Sequence, residues 1–150
     1  MLAVGTKAPE FVLPDEQGTD TSLSGLLREG SLILYFYPAD FTPFCTKEAC
    51  SIRDIHGDIV RAGLRVAGIS PQDVASHVRF RKRYGLPFML LSDPQKIAVR
   101  LYDVDGPLGV RVRRATYLIG TDGIIRDALL ADLRVRRHEE FIRKAIEAGG

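Results

Sequence analysis

Residues 31–38, SLILYFYP, form an unbroken apolar and aromatic run, the pattern of a strand buried on both faces. Pro38 ends it. Beyond the loop, Thr42 and Pro43 read as a helix N-cap and first-turn proline. The helix they open is expected to run through residue 62, with Ala49, Ile52, Ile55 and Ile59 on one face. LRVAGIS (64–70) is a second buried strand, and residues 71–85 a helix opened by Ser70 and Pro71 and closed by Gly85. PFMLLSD (87–93) predicts a third strand, followed by a short helix over 94–104. RATYLIG (114–120) and GIIRDALLAD (123–132) read as strands joined by a turn at Thr121, Asp122 and Gly123. A last helix spans about 136–148, with Phe141, Ile142, Ala145 and Ile146 as its apolar stripe. Ahead of all this, residues 11–27 predict a short hairpin and a turn. Strands alternating with helices predict an α/β fold, a central sheet with helices on both faces and an N-terminal β extension.

The 150 residues suit one domain, 1–150, with a core of its own. A net charge of +2 implies no particular partner. Basic residues cluster at Arg111, Arg113 and Arg114 and again at Arg134, Arg136 and Arg137. Acidic residues interleave with them, so a solvated face is expected and nucleic acid is not. The N-terminal residues lack the basic segment and apolar run of a signal peptide. No apolar run approaches the roughly 20 residues of a membrane span. A cytoplasmic location is therefore expected, and in a reducing compartment a transient disulfide is more plausible than a permanent one.

The chain has two cysteines, Cys45 and Cys50, both in PADFTPFCTKEAC (38–50). Their C-x4-C spacing is not that of zinc pairs, and His56, His77 and His138 are scattered, so no metal site is expected. Residues five apart in a continuous helix have Cα atoms roughly 8–9 Å apart, from the helix rise and radius. A disulfide needs about 4.4–6.8 Å. A bond between them requires the first helical turns to unwind. Either cysteine could also be simply a small core residue, as free cysteines often are.

Cys45 falls in the first turn of its helix, where the dipole and unpaired N–H groups favour a thiolate. Lowering a thiol pKa from about 8.5 to roughly 6 is worth about 2 kcal/mol at pH 7. Enzymes typically supply about 8 kcal/mol or more. A catalytic Cys45 therefore needs neighbours that act on the other reactant. Thr42 is near enough to aim its hydroxyl at the sulfur or at a ligand, in competition with helix capping. Pro38 can shield the site from water besides stopping the strand, and Glu48 complements the helix dipole. A fixed cation is wanted as well, and arginine suits that task.

These residues resemble a known family. Pro38-x-x-x-Thr42-x-x-Cys45 is similar to the Pro-x3-Thr/Ser-x2-Cys signature of the peroxiredoxins, and CTKEAC resembles the Q-type, or bacterioferritin-comigratory, branch. Further likenesses lie in GTKAPEFVLPDEQG, LILYFYP, LRVAGISPQ, LPFMLLSDP and RRATYLIGTDGII, spanning nearly the whole chain. The resemblance implies a thioredoxin-like fold and thiol-dependent reduction of hydrogen peroxide or organic hydroperoxides, without haem, flavin or metal. It makes Cys45 the peroxidatic cysteine, with Pro38 and Thr42 beside it, and Cys50 the resolving one. Arg114 would hold the thiolate and polarise the O–O bond. Thioredoxin or a similar dithiol would be the reductant, and the protein a monomer or weak homodimer.

Gly120 stands where the family usually has Asp, and Arg113 adjoins Arg114. Alternation along the strand favours Arg114 if Thr116 shares its face. Two other readings use the same cysteine region. A thioredoxin-type disulfide oxidoreductase normally needs C-x-x-C, which is absent. A peroxide-sensing relay or holdase would use the sulfenic acid without efficient turnover.

Overall fold

The computed structural model of the chain describes residues 1–149. Its centre is a five-stranded mixed sheet in the order β5-β4-β3-β6-β7. The strands are β3 (Ser31–Phe36), β4 (Leu64–Ser70), β5 (Met89–Ser92), β6 (Ala115–Ile119) and β7 (Ile125–Leu130). β3 is central, pairing parallel with β4 and antiparallel with β6. The N-terminal hairpin, β1 (Val12–Pro14) with β2 (Asp20–Ser22), forms a separate two-stranded sheet.

β3 displays the period-2 rule of a strand buried on both sides. Leu32, Leu34 and Phe36 join one apolar cluster, with Leu26 of helix α1 (Leu23–Leu27) and Val99 of α5 (Ile97–Leu101). Ile33, Tyr35 and Tyr37 join the other, beneath α2 (Pro43–Asp54), α3 (His56–Arg61), α4 (Val74–Tyr84) and α6 (Val135–Glu147). Gly68 on β4 is required by close approach, since a Cβ there would lie 2.8 Å from the Tyr35 ring.

Several boundaries depart from the sequence pattern. The helix expected to run to residue 62 is two helices, broken at Ile55 with φ −109° and ψ 9°. Gly57, two residues beyond the break, is a poor helix former. α4 opens at Asp73, whose carboxylate accepts from the Ser76 N–H at 2.8 Å, rather than at Ser70 and Pro71. Ser70 is instead the buried last residue of β4. The expected turn at residues 23–27 is the short helix α1, capped by the Ser22 hydroxyl. No helix among the described residues is long and apolar enough to cross a membrane.

Candidate active site

β3 delivers the chain to Pro38 at the end of the central strand. Four residues later α2 begins, with Thr42 as N-cap and Pro43 in the first turn. Cys45 lies in that turn and is 1% exposed. Cys50 is half-buried further along the same unbroken helix, and both are free thiols. The Thr42 hydroxyl does not cap α2; it donates to the Ala39 carbonyl at 3.1 Å. The first N–H groups of α2, which a helix cannot satisfy internally, thus point toward the Cys45 end without that side chain among their acceptors.

Arg114 reaches this helix from the start of β6. One terminal guanidinium nitrogen donates to Cys45 Sγ at 3.3 Å, and the other to Glu48 Oε1 at 2.7 Å. Its Nε donates to the Asp132 carbonyl at 3.2 Å, and its backbone N–H to Asp132 Oδ1 at 3.0 Å. The guanidinium is thereby held along three directions, a use for which a lysine has no matching geometry. Burial works against its charge, but Glu48 and Cys45 outweigh burial, and its pKa is raised. Arg113 points elsewhere, to Asp132 Oδ2 at 2.8 Å, partly in solvent. The alternation expected of β6 holds: Arg114 and Thr116 are both buried on the side of α2 and α6.

Glu48 was expected to complement the helix dipole. It is fully buried, three positions after Cys45 and on the same face of α2. Burial pushes its carboxyl up to about 7, with Arg114 pulling the other way. Its second oxygen lies 3.7 Å from His138 Nδ1. The Ala131 carbonyl can only accept, so His138 Nε2 donates to it at 2.8 Å, and Nδ1 is left to accept from the Thr116 hydroxyl at 2.7 Å. Burial lowers the His138 pKa to about 4, which keeps the ring neutral.

Pro38 and Arg114 line a groove of about 290 Å³, together with Pro107, Val112, Asp132 and Leu133. Arg114 thus belongs both to the lining of this groove and to the surroundings of the Cys45 sulfur. The donor that meets the Cys45 sulfur is a guanidinium N–H, which suits oxygen bearing developing negative charge rather than a cation. Pro38, Thr42, Cys45 and Arg114 are thus brought to one end of the sheet, while Cys50 stays apart from Cys45 as long as α2 is intact. Glu48, Asp132, Thr116 and His138 were not singled out as site residues by the sequence. Only Glu48 carried a local signal, its helical spacing from Cys45.

A buried thiol in the first turn of a helix, on a sheet of this order and backed by a guanidinium, defines a thiol redox enzyme of thioredoxin-like fold. Comparison with known proteins agrees. Residues 4–128 match the AhpC/TSA family. A putative peroxiredoxin bcp of Coxiella burnetii is 42% identical over 130 residues, covering 83% of this chain and 85% of that protein. The chloroplastic peroxiredoxin Q of Suaeda salsa is 40% identical over 148 residues, 98% of this chain and 69% of that longer protein. Among solved structures, peroxidoxin BcpB of Mycobacterium tuberculosis superposes with a TM-score of 0.92 at 33% identity, covering 99% of this chain and 98% of the other. A bacterioferritin comigratory protein of Xanthomonas campestris, studied for alkyl peroxide reduction, gives 0.83 at 28% identity, covering 92% and 90%. The chain belongs to the peroxiredoxins of the AhpC/TSA family, thiol-dependent peroxidases, and its relatives are of the bcp, or Q, type.

Proposed function

We propose that Cys45 is the peroxidatic cysteine of a two-cysteine cycle acting on hydrogen peroxide and organic hydroperoxides. The reading is carried by the Arg114 donor 3.3 Å from a buried sulfur at the start of α2. The Cys45 thiolate attacks the terminal peroxide oxygen, the S–O bond forms as O–O breaks, and the departing RO⁻ takes a proton and leaves as water or alcohol. Arg114 and the first N–H groups of α2 face the oxygen charge that develops in this step, where fixed donors are worth most. Thr42 orients the hydroperoxide, and Pro38 keeps water from the sulfur.

The first turns of α2 then unwind. The Cys50 thiol condenses with the Cys45 sulfenic acid, giving an intramolecular disulfide and water. A dithiol such as thioredoxin restores both thiols, and no cofactor takes part. The working unit is the single domain 1–150, a monomer or weak homodimer in the cytoplasm. One equivalent of hydrogen peroxide added to fully reduced protein tests this. Loss of both thiols with a mass decrease of two hydrogens is the expected result. A gain of one oxygen with Cys50 still free would remove Cys50 from the cycle, and no reaction at all would return both cysteines to the core. Repeated turnover with thioredoxin separates a peroxidase from a sensor or holdase, which would consume peroxide stoichiometrically.

A further inference from the structure

A buried polar cluster beside the Pro38–Thr42 loop takes no part in the chemistry above. Its centre is Asp40, whose carboxylate has no exposed surface. The Tyr37 hydroxyl donates to Asp40 Oδ1 at 2.6 Å, and the Ser76 hydroxyl donates to Oδ2 at 2.7 Å. His77 Nδ1 donates to the same Oδ2 at 2.7 Å. His77 Nε2 lies 3.2 Å from the Leu91 carbonyl and 3.3 Å from Ser70 Oγ. Burial pushes the Tyr37 phenol up, so it remains a donor. A single loop side chain is thus tied to the end of β3 and to the first turns of α4, and through His77 to the ends of β4 and β5.

The next residue also packs on α4. Phe41 has φ 63°, a left-handed conformation uncommon for a bulky side chain. Its ring is held edge-on against Phe80 of α4 at 5.1 Å. From Thr42 onward, the side-chain bonds named above are the short loop contact to Ala39 and the bonds from Arg114 to Cys45 and Glu48. The Asp40 bonds thus hold the loop that leads directly into α2, the segment that must rearrange for Cys50 to meet Cys45.

On the cycle proposed above, we infer that Asp40 is a positioning residue: its bonds to Ser76 and His77 latch the loop onto α4, and so set how long the Cys45 sulfenic acid waits for Cys50. Two reactions compete during that wait. Condensation with Cys50 gives the disulfide and one water. A second hydrogen peroxide instead oxidises the sulfenic acid to sulfinic acid, again releasing water. A tight latch favours the second fate at high peroxide, and a loose one favours the first. Charge-assisted bonds to a buried carboxylate are strong, and weakening them is expected to shift the balance toward the unwound form by about tenfold. While the folded form remains the majority, that shift leaves peroxide attack nearly unchanged and speeds unwinding.

Asp40→Asn and Ser76→Ala are tested against the wild type in single-turnover reactions, quenched by thiol alkylation and read by intact mass. The wild type carries both cysteines, and far-UV circular dichroism verifies the fold of each variant. The expected result for Asp40→Asn is disulfide formation faster by about tenfold, sulfenic acid formation within about twofold of wild type, and a peroxide concentration for half-sulfinic conversion raised in proportion. Ser76→Ala, which removes one donor only, moves both readings the same way by less, and decides the matter if Asp40→Asn does not fold. A merely structural role would slow peroxide attack without speeding the disulfide. Folded variants that resolve at the wild-type rate would overturn the latch while leaving the peroxidase reading intact. A wild type that never oxidises at Cys45 would overturn both.

Discussion

The Arg114 guanidinium sits 3.3 Å from the Cys45 sulfur although 69 positions separate the two residues in the chain. The contact exists because β6 runs antiparallel beside β3, which ends at the loop leading into α2. On the proposed cycle, it places a permanent positive charge where both the thiolate and the leaving oxygen carry negative charge. Removing one such donor from an enzyme typically costs about 10²–10³ in rate.

Replacing Arg114 by Met is therefore expected to lower kcat/KM for hydrogen peroxide by at least about 10²-fold. Arg114→Lys should recover little, because an ammonium cannot bond Cys45, Glu48 and the Asp132 carbonyl together. Arg113→Met, by contrast, should stay within about threefold of wild type, as befits loss of a partly exposed ion pair. A steady-state comparison of the three variants decides the assignment. Equal losses at both arginines would defeat it.

Thr42 holds its place by donating to the Ala39 carbonyl. Thr42→Ser keeps that bond and should retain most of the activity. Thr42→Val loses the hydroxyl and should reduce kcat/KM by about 10-fold or more, with a stability loss of about 1 kcal/mol. Urea denaturation beside peroxide kinetics separates the two effects. Wild-type rates in Thr42→Val would show that the hydroxyl does nothing for the reaction.

Glu48 and His138 act on stability with opposite signs. The folded state raises the Glu48 pKa from 4.5 to about 7, so its contribution is full below about 4.5 and is lost as pH rises through about 7. The folded state lowers the His138 pKa from 6.5 to about 4, so its contribution is full above about 6.5 and is lost as pH falls through about 4. Each amounts to roughly 3 kcal/mol, and between pH 4.5 and 6.5 they oppose each other. Glu48→Gln should therefore uncover a stability that rises with pH, and His138→Gln one that falls. Denaturation midpoints at pH 4.5, 5.5, 6.5 and 7.5 give the slopes. Parallel curves for wild type and both variants would remove this account.

Asp132 binds the Arg113 side chain and the Arg114 backbone. Asp132→Ala should let Arg114 drift and lower kcat/KM by about tenfold, with Cys45 and Cys50 still forming their disulfide. Asp132→Asn, which can still accept from the Arg114 N–H, should fall between the two. Unchanged kinetics in the alanine variant would mean that Glu48 and the backbone carbonyl at position 132 suffice to hold the guanidinium.

The central strand, the loop after it and the helix carrying both cysteines were readable from the chain. Arg114 was singled out by the resemblance of RRATYLIGTDGII to the peroxiredoxins, and alternation with Thr116 chose it over Arg113. These features are local: a continuous apolar run, a proline stop and a period of two each act over a few residues. Three boundaries were not readable in this way. The break at Ile55 lies inside an uninterrupted apolar periodicity, and the Asp73 cap of α4 competed with a plausible serine-proline opening three residues earlier. Residues 23–27 carried a short apolar cluster too brief to separate a turn from one helical turn.

Sequence alone thus determined the class of fold and the motif around Cys45, because periodicity and spacing are properties of neighbouring residues, and the resemblance of that motif pointed to the family. Tertiary structure decided that Glu48 is buried beneath Arg114, that Asp132 braces that arginine, and that Asp40 meets His77 across 37 positions. No local pattern marks such partners. A buried charge finds its complement only after the sheet has brought distant segments together, and the cost of leaving it unpaired is what makes the pairing definite.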